Sequence, residues 1–228
     1  MSEYLDTDML LHAGLIQVLK RGTAEILEQA ESGIFLRDRI SDVYMLSNLN
    51  KEEGKIWLQK HEKRGYKVMQ ICQDILMEYV QKKYGFKEKL ICRQALCKNN
   101  PTPYSQRKLD ITEAGAEDFL TIRRYYHKLE DEELLHIIKR RELFIGRFEG
   151  NEVGFIGQHL EGSMGLLEVF PEYRKQGFGE ELERYMIYKV REQGLLPFCQ
   201  VEVGNDCSMR LQQRLGMIIS EKLVYWLY

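Results

Sequence analysis

Hydrophobic positions fall into short runs that alternate with amphipathic segments, a pattern typical of a mixed α/β protein. The second half shows this most clearly. A strand near Leu109 precedes helices over residues 117–129 and 132–141, strands over 143–150, 152–162 and 164–170, and a helix over 180–193. A strand over 198–203, a helix that begins after Asn205 and ends at Gly216, and a strand over 220–228 follow. The predicted order is βααβββαβαβ.

The first half repeats part of the second half. Its pattern predicts an amphipathic pair of helices between Met9 and Ala30, strands over 33–38, 42–47 and 66–72, and a helix after Asn50. Residues 74–96 parallel residues 205–227 in one register, with Asp74 opposite Asn205 and Gly85 opposite Gly216. We therefore expect a duplicated unit. A degenerate domain over 1–98 and a polar linker over 99–107 would precede a complete domain over 108–228.

Composition is that of a folded protein, with 228 residues, 44% hydrophobic and 30% charged. No apolar run approaches the roughly 20 residues that span a membrane, and the acidic first ten residues are unlike a signal peptide. We expect a cytoplasmic protein with no membrane partner. The net charge of -2 provides no broad basic face for nucleic acid, and five scattered cysteines and five scattered histidines indicate neither disulfides nor a metal site.

A glycine-containing segment, "EYRKQGFG", links the strand over 164–170 to the helix over 180–193. Gly177 and Gly179 lie where that helix starts. A helix N-terminus offers unpaired backbone N–H groups, and glycines let a phosphate approach them closely. An ordinary tight turn, in which glycine only supplies a positive φ, produces the same spacing. The first half has "NLNKEEG" at the corresponding place, with two glutamates and no paired glycines, so we expect no phosphate site there.

Two segments together, "LEVFPEYRKQGFG" and "VEVGNDCSMRLQQRLGM", resemble the acyl-CoA-binding core of the GCN5-related N-acetyltransferases. The first matches that family's Q/R-x-x-G-x-G/A motif through Arg174, Gly177 and Gly179. The second matches an N-x-x-S-x-x-L-x-x-x-L-G pattern that begins at Asn205 and ends at Gly216. The resemblance covers the second half. Within the superfamily, "PFCQVEVGN" and "VYWLY" most resemble the glycine N-acyltransferase and FR47-like branch, whose members also carry a degenerate first half.

The resemblance implies an α/β fold of the GCN5-related type, with a mixed, mostly antiparallel sheet flanked by helices in a tandem arrangement. It also implies direct transfer of an acyl group from acetyl-CoA, or another acyl-CoA, to a primary amine of a small molecule or amino acid, without a metal. By analogy, the backbone of residues 167–169 would bind the pantetheine arm and the thioester. The residues implied in cofactor binding are Leu167, Val169, Arg174, Lys175, Gln176, Gly177, Phe178, Gly179, Glu180 and Asn205. Asn205 is equally well explained as a plain N-cap.

The catalytic groups are less clearly indicated. Glu168 is the first candidate general base, because it lies on the strand beside the expected thioester, although its side chain would equally face solvent. Glu202, on the next strand, is the alternative. Many family members place a general-acid tyrosine where this chain has Gln212, and glutamine cannot donate a proton in that way. A second function, an acyl-CoA-binding regulatory module without turnover, therefore stays open. Glu180 is a further departure, since it places a carboxylate where phosphate is expected.

The acceptor and the assembly are left open by the sequence. Tyr104, Tyr125, Tyr126 and His127 lie where acceptors often enter such folds, and as helix residues they are also ordinary packing groups. The first half would be structural or would form a wall of the acceptor site. A pseudo-dimer within one chain is expected, as a monomer or a homodimer. A nucleotide-binding protein is disfavoured, because the segment lacks both the P-loop pattern and the third glycine of the dinucleotide fingerprint.

Overall fold

A computed structural model describes residues 3–98 and 108–228, in which eight α-helices and eleven strands are formed. The helices are α1 (Glu3–Asp6), α2 (Ala13–Lys20), α3 (Lys51–His61), α4 (Asp74–Tyr84), α5 (Phe119–Tyr125), α6 (Asp131–Lys139), α7 (Phe178–Glu192) and α8 (Asp206–Arg214). The strands are β1 (Ala24–Ala30), β2 (Gly33–Asp38), β3 (Tyr44–Asn48), β4 (Met69–Ile71), β5 (Lys89–Leu96), β6 (Asp110–Glu113), β7 (Leu143–Phe148), β8 (Asn151–Gln158), β9 (Met164–Val169), β10 (Phe198–Glu202) and β11 (Ile218–Leu227). The predicted linker over 99–107, which includes Tyr104, lies outside the described residues.

The predicted elements of the second half are all present, in the predicted order. One prediction for the first half is wrong, because the second helix expected before Ala30 is instead strand β1. This strand pairs antiparallel with β2, and its register shifts between Ile26 and Glu28. A bulge of this kind interrupts the strict alternation of inward and outward side chains, and so hides the strand period in the sequence.

Two compact units make up the chain, and they do not coincide with the two sequence halves. The first unit comprises the residues up to Leu96 together with Gln200–Tyr228, and the second comprises Cys97–Cys199. The domain division at residues 98 and 108 therefore stays a prediction about the sequence repeat. Within residues 3–98 and 108–228, no helix has the length and apolarity that a bilayer crossing requires.

Exchange of the last strands between the repeats explains the composition of the first unit. Its strand order is β1-β2-β3-β4-β11-β5, with the end of β10 beyond β5. Strand β11, the last of the second repeat, pairs antiparallel with β4 and β5, so that Tyr225 lies opposite both Ile71 and Ile91. Strand β5, the last of the first repeat, neighbours β10, and the Val203 N–H donates to the Ile91 carbonyl at 2.9 Å. Each repeat thus completes its sheet with a strand of the other.

A buried polar network joins α1 and α2 to β3 in the first unit. The Nδ1 of His12 lies 3.2 Å from the Leu5 carbonyl, and its Nε2 lies 3.0 Å from the Ser47 hydroxyl. Because a carbonyl only accepts, Nδ1 carries the proton, and Nε2 accepts from Ser47. Tyr4 and Gln73 also contact the Ser47 hydroxyl, each at 2.7 Å. Burial lowers the pKa of His12, so the network favours the neutral ring.

The second unit is built on β6, β7, β8 and β9, each antiparallel to the next. Helix α7 buries an apolar stripe at helical spacing, which comprises Phe178, Leu182, Met186, Ile187 and Val190. The buried Glu181 carboxylate accepts the backbone N–H groups of Lys108 and Leu109, at 2.9 and 3.0 Å, and so ties the chain before β6 to α7. These contacts fix the start of α7, where the phosphate motif was predicted.

A fragment over residues 105–228 is expected to be poorly soluble and incompletely folded, because it retains β11 and lacks both β4 and β5. The unpaired edges and apolar face of β11 would then be exposed. Circular dichroism and sedimentation of the fragment, compared with the full chain, check this. A soluble fragment that shows a cooperative thermal transition would contradict it.

Acid is expected to destabilise the first unit through His12. Since the folded ring binds its proton less readily than the unfolded chain, whose histidine pKa is about 6.5, the free energy of unfolding falls as the pH drops below that value. His12→Gln should be less stable at pH 7.5 and should lose part of this pH dependence in urea denaturation. The exposed His127 provides the control, because His127→Gln should keep the wild-type slope. Equal slopes for His12→Gln and wild type would contradict the assignment.

Candidate functional site

Strand β9 carries one extra residue relative to β8. Phe155 lies opposite Glu168 and Gly157 lies opposite Gly165, so two residues of β9 face one residue of β8. The extra residue is accommodated at Leu166, whose φ of +50° lies in the left-handed region although its side chain is buried. Such a bulge bends a strand and interrupts its pairing. The backbone of residues 167–169 is therefore directed differently from the start of β9.

The second edge of β9 is largely unpaired within this unit. Among the described residues of the unit, β9 pairs on that edge only where Met164 lies opposite Cys199, in a parallel register. Leu167, Glu168 and Val169 have no strand partner of the unit there. A strand edge of this kind can pair with an extended, peptide-like ligand. The role that the resemblance implies for residues 167–169 needs an open strand edge of this kind, and it stays a prediction.

A turn rich in free backbone donors follows β9. After a 3-10 turn over Pro171–Tyr173, the chain passes through Lys175 at φ +62° and Gly177 at φ +89° and enters α7. The backbone N–H groups of residues 175–179 have no acceptor in the described part of the chain, and the first one that has an acceptor, that of Glu180, donates to the Gly177 carbonyl at 3.1 Å. Successive free donors at the positive end of a 15-residue helix form an anion-binding site.

Glycine is favoured at positions 177 and 179 of this turn for different physical reasons. Gly177 is the N-cap of α7, and a Cβ built on it would meet no atom within 4 Å, so only its left-handed backbone favours glycine. Gly179 has no such φ, and its Cβ would lie in ordinary contact with Val169, 3.4 Å from Cγ2. The ordinary-turn explanation therefore accounts for Gly177 and leaves Gly179 unexplained. Close approach of a ligand to the backbone is a reason for glycine at that position.

The corresponding helix start in the first repeat is closed by its own side chains. The Asn50 side-chain oxygen accepts the N–H groups of Glu52 and Glu53, at 3.1 and 3.2 Å, at the start of α3. The Glu53 carboxylate in turn accepts from Asn48 and Ser32. An anion at this helix would meet capped donors and a carboxylate, which agrees with the expectation of no phosphate site in the first half.

Arg174 does not extend from the turn but folds back over the end of β9. Its Nη2 lies 2.7 Å from the Glu168 carboxylate, and its Nε donates to the Val169 carbonyl at 2.9 Å. The Glu168 side chain is 26% exposed. A residue that the resemblance implied in cofactor binding therefore contacts the candidate general base, and the two candidate roles are linked.

The sequence places the Glu180 carboxylate where a phosphate is expected to bind, and in the structure this carboxylate forms an ion pair with Arg184. Its Oε1 accepts from both Nε and Nη2 of Arg184, at 3.1 and 2.9 Å, one helical turn further along α7. The ion pair draws the carboxylate along the helix surface and offsets its charge. The free donors of residues 175–179 thus have no unpaired carboxylate at Glu180 to compete with a bound anion.

Two other sequence candidates lie in the first unit, whereas β9 and the turn lie in the second. The Asn205 side chain caps α8, because its Oδ1 accepts the Ser208 N–H at 3.1 Å. The N-cap explanation of Asn205 is therefore sufficient. Gln212 is 2% exposed, and its Oε1 has no donor among the described residues.

Tyr126, one of the aromatic residues considered for the acceptor, is influenced by carboxylates, two of which the sequence did not single out. Tyr126 is only 9% exposed, and burial, followed by the carboxylates of Glu133, Glu161 and Glu168, raises its pKa to about 12. These carboxylates come from α6, from the hairpin between β8 and β9, and from β9 itself. In the described chain, no three His, Cys, Asp or Glu side chains are placed to hold a metal ion. Each glutamate is one of 35 acidic residues, so only the fold shows the grouping.

Comparisons with known proteins bear on the fold. Residues 149–227 match the family of FR47-like proteins. A solved protein from Drosophila has a TM-score of 0.67 at 14% identity, over 86% of this chain and 73% of that one. A GCN5-related N-acetyltransferase from Kribbella flavida has a TM-score of 0.59 at 13% identity, over 96% of this chain and 94% of that one. Another, from Sphaerobacter thermophilus, has a TM-score of 0.53 at 13% identity, over 97% of this chain and 92% of that one.

No curated protein matches this chain. At the identities of the structural matches, the likeness shows the fold, which is that of the GCN5-related N-acetyltransferases, and the FR47-like region lies in the C-terminal half as the sequence motifs indicated. The predicted fold class, with its mixed sheet and mostly antiparallel pairing, is confirmed.

Arg184→Ala is expected to weaken the binding of coenzyme A about two- to fivefold, because an unpaired Glu180 would repel phosphate at the turn. Calorimetry at low ionic strength measures this. In the double variant Glu180→Gln with Arg184→Ala, the carboxylate is absent and affinity should return to the wild-type value. If both variants bind as weakly as each other, Arg184 itself contacts the ligand and the explanation through Glu180 is wrong.

Proposed function

We propose that this chain, with its GCN5-related N-acetyltransferase fold and FR47-like region, is an N-acyltransferase. It would transfer an acyl group, most simply acetyl from acetyl-CoA, to a primary amine of a small molecule or amino acid. The observation that carries the proposal is the run of five free backbone donors over residues 175–179, placed directly after the bulged strand β9. An acyl-CoA presents a diphosphate to such a turn and an extended amide-containing arm to such a strand edge.

The reaction has a simple balance. The nitrogen of a neutral amine attacks the thioester carbonyl carbon, a C–N bond forms, and the C–S bond breaks. The amine loses one proton and the departing thiolate takes one up, so the products are an amide and a free thiol. The protein has to position the two reactants, accept the amine proton and stabilise negative charge on the carbonyl oxygen.

The chain's own residues supply these functions as follows. The N–H groups of residues 175–179 hold the diphosphate, and the edge over 167–169 pairs with the amide groups of the pantetheine arm. The same edge offers N–H groups to the carbonyl oxygen. Glu168, which Arg174 holds at the end of β9, is the proposed base that accepts the amine proton, directly or through water. A thiol has a pKa near 8.5, so the thiolate can leave without an acid in the place of Gln212.

A second candidate function is an acyl-CoA-binding regulatory module without turnover. The specific observation in its favour is Gln212, which stands where many related enzymes have a general-acid tyrosine and is buried. Such a module would bind acyl-CoA and leave it intact. Release of free thiol from acetyl-CoA that depends on an added amine decides between the two functions.

In a thermal-shift titration, we expect acetyl-CoA, longer acyl-CoAs and coenzyme A to raise the melting temperature, and we expect ATP to leave it unchanged. A ligand at about 100 times its Kd adds about 2.7 kcal/mol to the free energy of unfolding. Gly177→Val should abolish this shift. Gly194→Val is the matched control, because Gly194 follows the other end of α7 at φ +72°, also with nothing within 4 Å of its Cβ. Both variants should lose about 1–3 kcal/mol of stability, and only the first should lose the ligand response.

Retention of the full shift in Gly177→Val would contradict the assignment of the turn. Absence of any shift in the wild-type protein would contradict the proposed function as a whole. A shift without amine-dependent thiol release, across neutral, cationic and anionic amines, would support the regulatory module.

A further inference from the structure

The ring of His159 lies against the backbone of β9, at the residue before the bulge. A Cβ built on Gly165 would lie 2.5 Å from the His159 Nε2 and 2.7 Å from its Cδ2. Gly165 has no left-handed φ, so its backbone conformation does not require glycine. The imidazole therefore occupies the space in which a side chain at position 165 would lie.

The hairpin between β8 and β9 fixes the backbone that carries this ring. The His159 N–H donates to the Ser163 carbonyl at 2.9 Å, and the Gly162 N–H donates to the His159 carbonyl at 2.8 Å. The Gln158 side chain adds a bond from its Nε2 to the Gly162 carbonyl at 3.0 Å. The His159 side chain is partly exposed, and neither ring nitrogen has a hydrogen-bond partner among the described residues. The ring nitrogens are therefore left for a ligand.

The His159 ring and the Glu168 side chain lie on the same face of β9. Residues directly opposite each other in an antiparallel pair direct their side chains to one face, and residues two apart on a strand share a face. Phe155 is opposite Glu168, and Gly157 is opposite Gly165. Position 165 and Glu168 are therefore on one face, about 7 Å apart along the strand. A separation of this size admits one reacting group between the two side chains.

The reactive end of a bound acyl-CoA would lie at this place. In the proposed binding mode, the diphosphate lies at residues 175–179 and the arm runs back along the open edge over 167–169. That edge closes where Met164 pairs with Cys199. The thioester at the end of the arm would therefore lie near the bulge, between Glu168 and the His159 ring.

The proposed transfer lacks a proton donor for the departing sulfur. Gln212 cannot donate a proton in this way, and Glu168 is assigned the opposite step, as the acceptor of the amine proton. An imidazole differs from both side chains, because it accepts and donates protons near neutral pH. His159 provides such a group on the face where the reaction would take place.

We infer that His159, as an imidazolium, donates the proton that the departing thiolate takes up. The inference rests on the proposed function and adds a second proton-transfer residue to it. As the C–N bond forms, Glu168 accepts the amine proton, and as the C–S bond breaks, an imidazolium N–H gives its proton to the sulfur. Solvent then returns a proton from Glu168 to His159, so that an amide and a free thiol leave and both side chains regain their starting states.

Titratable groups around His159 come from α6 and from the hairpin. Glu133 and His136 lie on α6, and Glu161 lies in the hairpin. Burial raises the pKa of Glu133, and the nearby His159 opposes that rise, as does His136 to a smaller extent. His136 is exposed and acts on the same carboxylate as His159, so it is the matched control for a change of pH.

The pH dependence of His159→Gln tests the direction of proton transfer. Thiol release from saturating acetyl-CoA is measured with the most effective of butylamine, 1,4-diaminobutane and glycine. The kcat/KM of the wild type is divided by that of the variant at each pH, so that titration of the amine cancels. This ratio should be at least about tenfold near pH 6 and should fall toward about pH 9, because the imidazolium loses its proton.

His136→Gln should give a ratio near one at every pH. A ratio for His159→Gln that rises with pH, as loss of a general base would produce, would overturn the inference. A ratio near one throughout would overturn it as well.

Gly165→Ala tests the position of the ring without removing it. The added Cβ would meet the His159 Nε2 at 2.5 Å and displace the imidazole, so this variant should lose activity about as much as His159→Ala. The double variant should lose no more than His159→Ala alone, because the two changes act through the same ring. Losses that add would contradict the assignment, since alanine at position 165 would then act independently of His159.

NMR of the full chain separates a failure of this inference from a failure of the proposed function. With isotope-labelled histidine, His159→Gln assigns the His159 ring signal, which coenzyme A should shift while the His136 signal stays in place. Desulfo-coenzyme A, which lacks the thiol, should cause a smaller shift. Thermal stabilisation by coenzyme A with an unchanged His159 signal would reject the inference and leave the acyltransferase proposal standing. Absence of stabilisation by coenzyme A would reject both.

Discussion

The extra residue of β9 is the constraint on which the site depends. Without the bulge at Leu166, β9 would continue in register along β8, and the residues after it would have an ordinary strand direction. With it, the edge over 167–169 is open within the second unit, and the chain leaves the strand toward α7 through two left-handed residues. The buried side chain of Leu166 keeps this strained backbone in place, as packing must do wherever a non-glycine residue has a positive φ.

Charge is arranged in opposite ways at the two ends of this region. Around the turn, two acidic side chains are paired with arginines, Glu168 with Arg174 and Glu180 with Arg184. Around Tyr126, the carboxylates of Glu133 and Glu161 lack such partners in the described chain. Surface ion pairs contribute little to stability, so their effect is better understood as local neutralisation.

The sequence predicted what depends on local pattern. The strand–turn–helix around Gly177, the N-caps at Asn50 and Asn205, and the order of elements in the second half all follow from spacing and capping chemistry. Three features depend on tertiary contacts and could not be obtained that way. The bulge in β1 hid a strand, the pairing of β11 with β4 and β5 crosses the repeats, and Tyr126 meets its three carboxylates only after α6 and the β8–β9 hairpin have packed. Nothing in the sequence indicates the Arg174–Glu168 pair, since an arginine in that motif is explained equally well by phosphate binding.

The strand exchange gives a physical reason for keeping a first half whose capped helix start offers no phosphate site. The Asn50 side chain caps the start of α3, whereas Gly177 leaves the backbone N–H groups at the start of α7 uncapped. The first repeat is therefore called the closed copy and the second the open copy. The closed copy cannot be discarded, because β11 of the open repeat is completed by β4 and β5. Loss of binding in one repeat therefore carries no structural penalty, whereas loss of the repeat itself would leave the C-terminal strand without its neighbours.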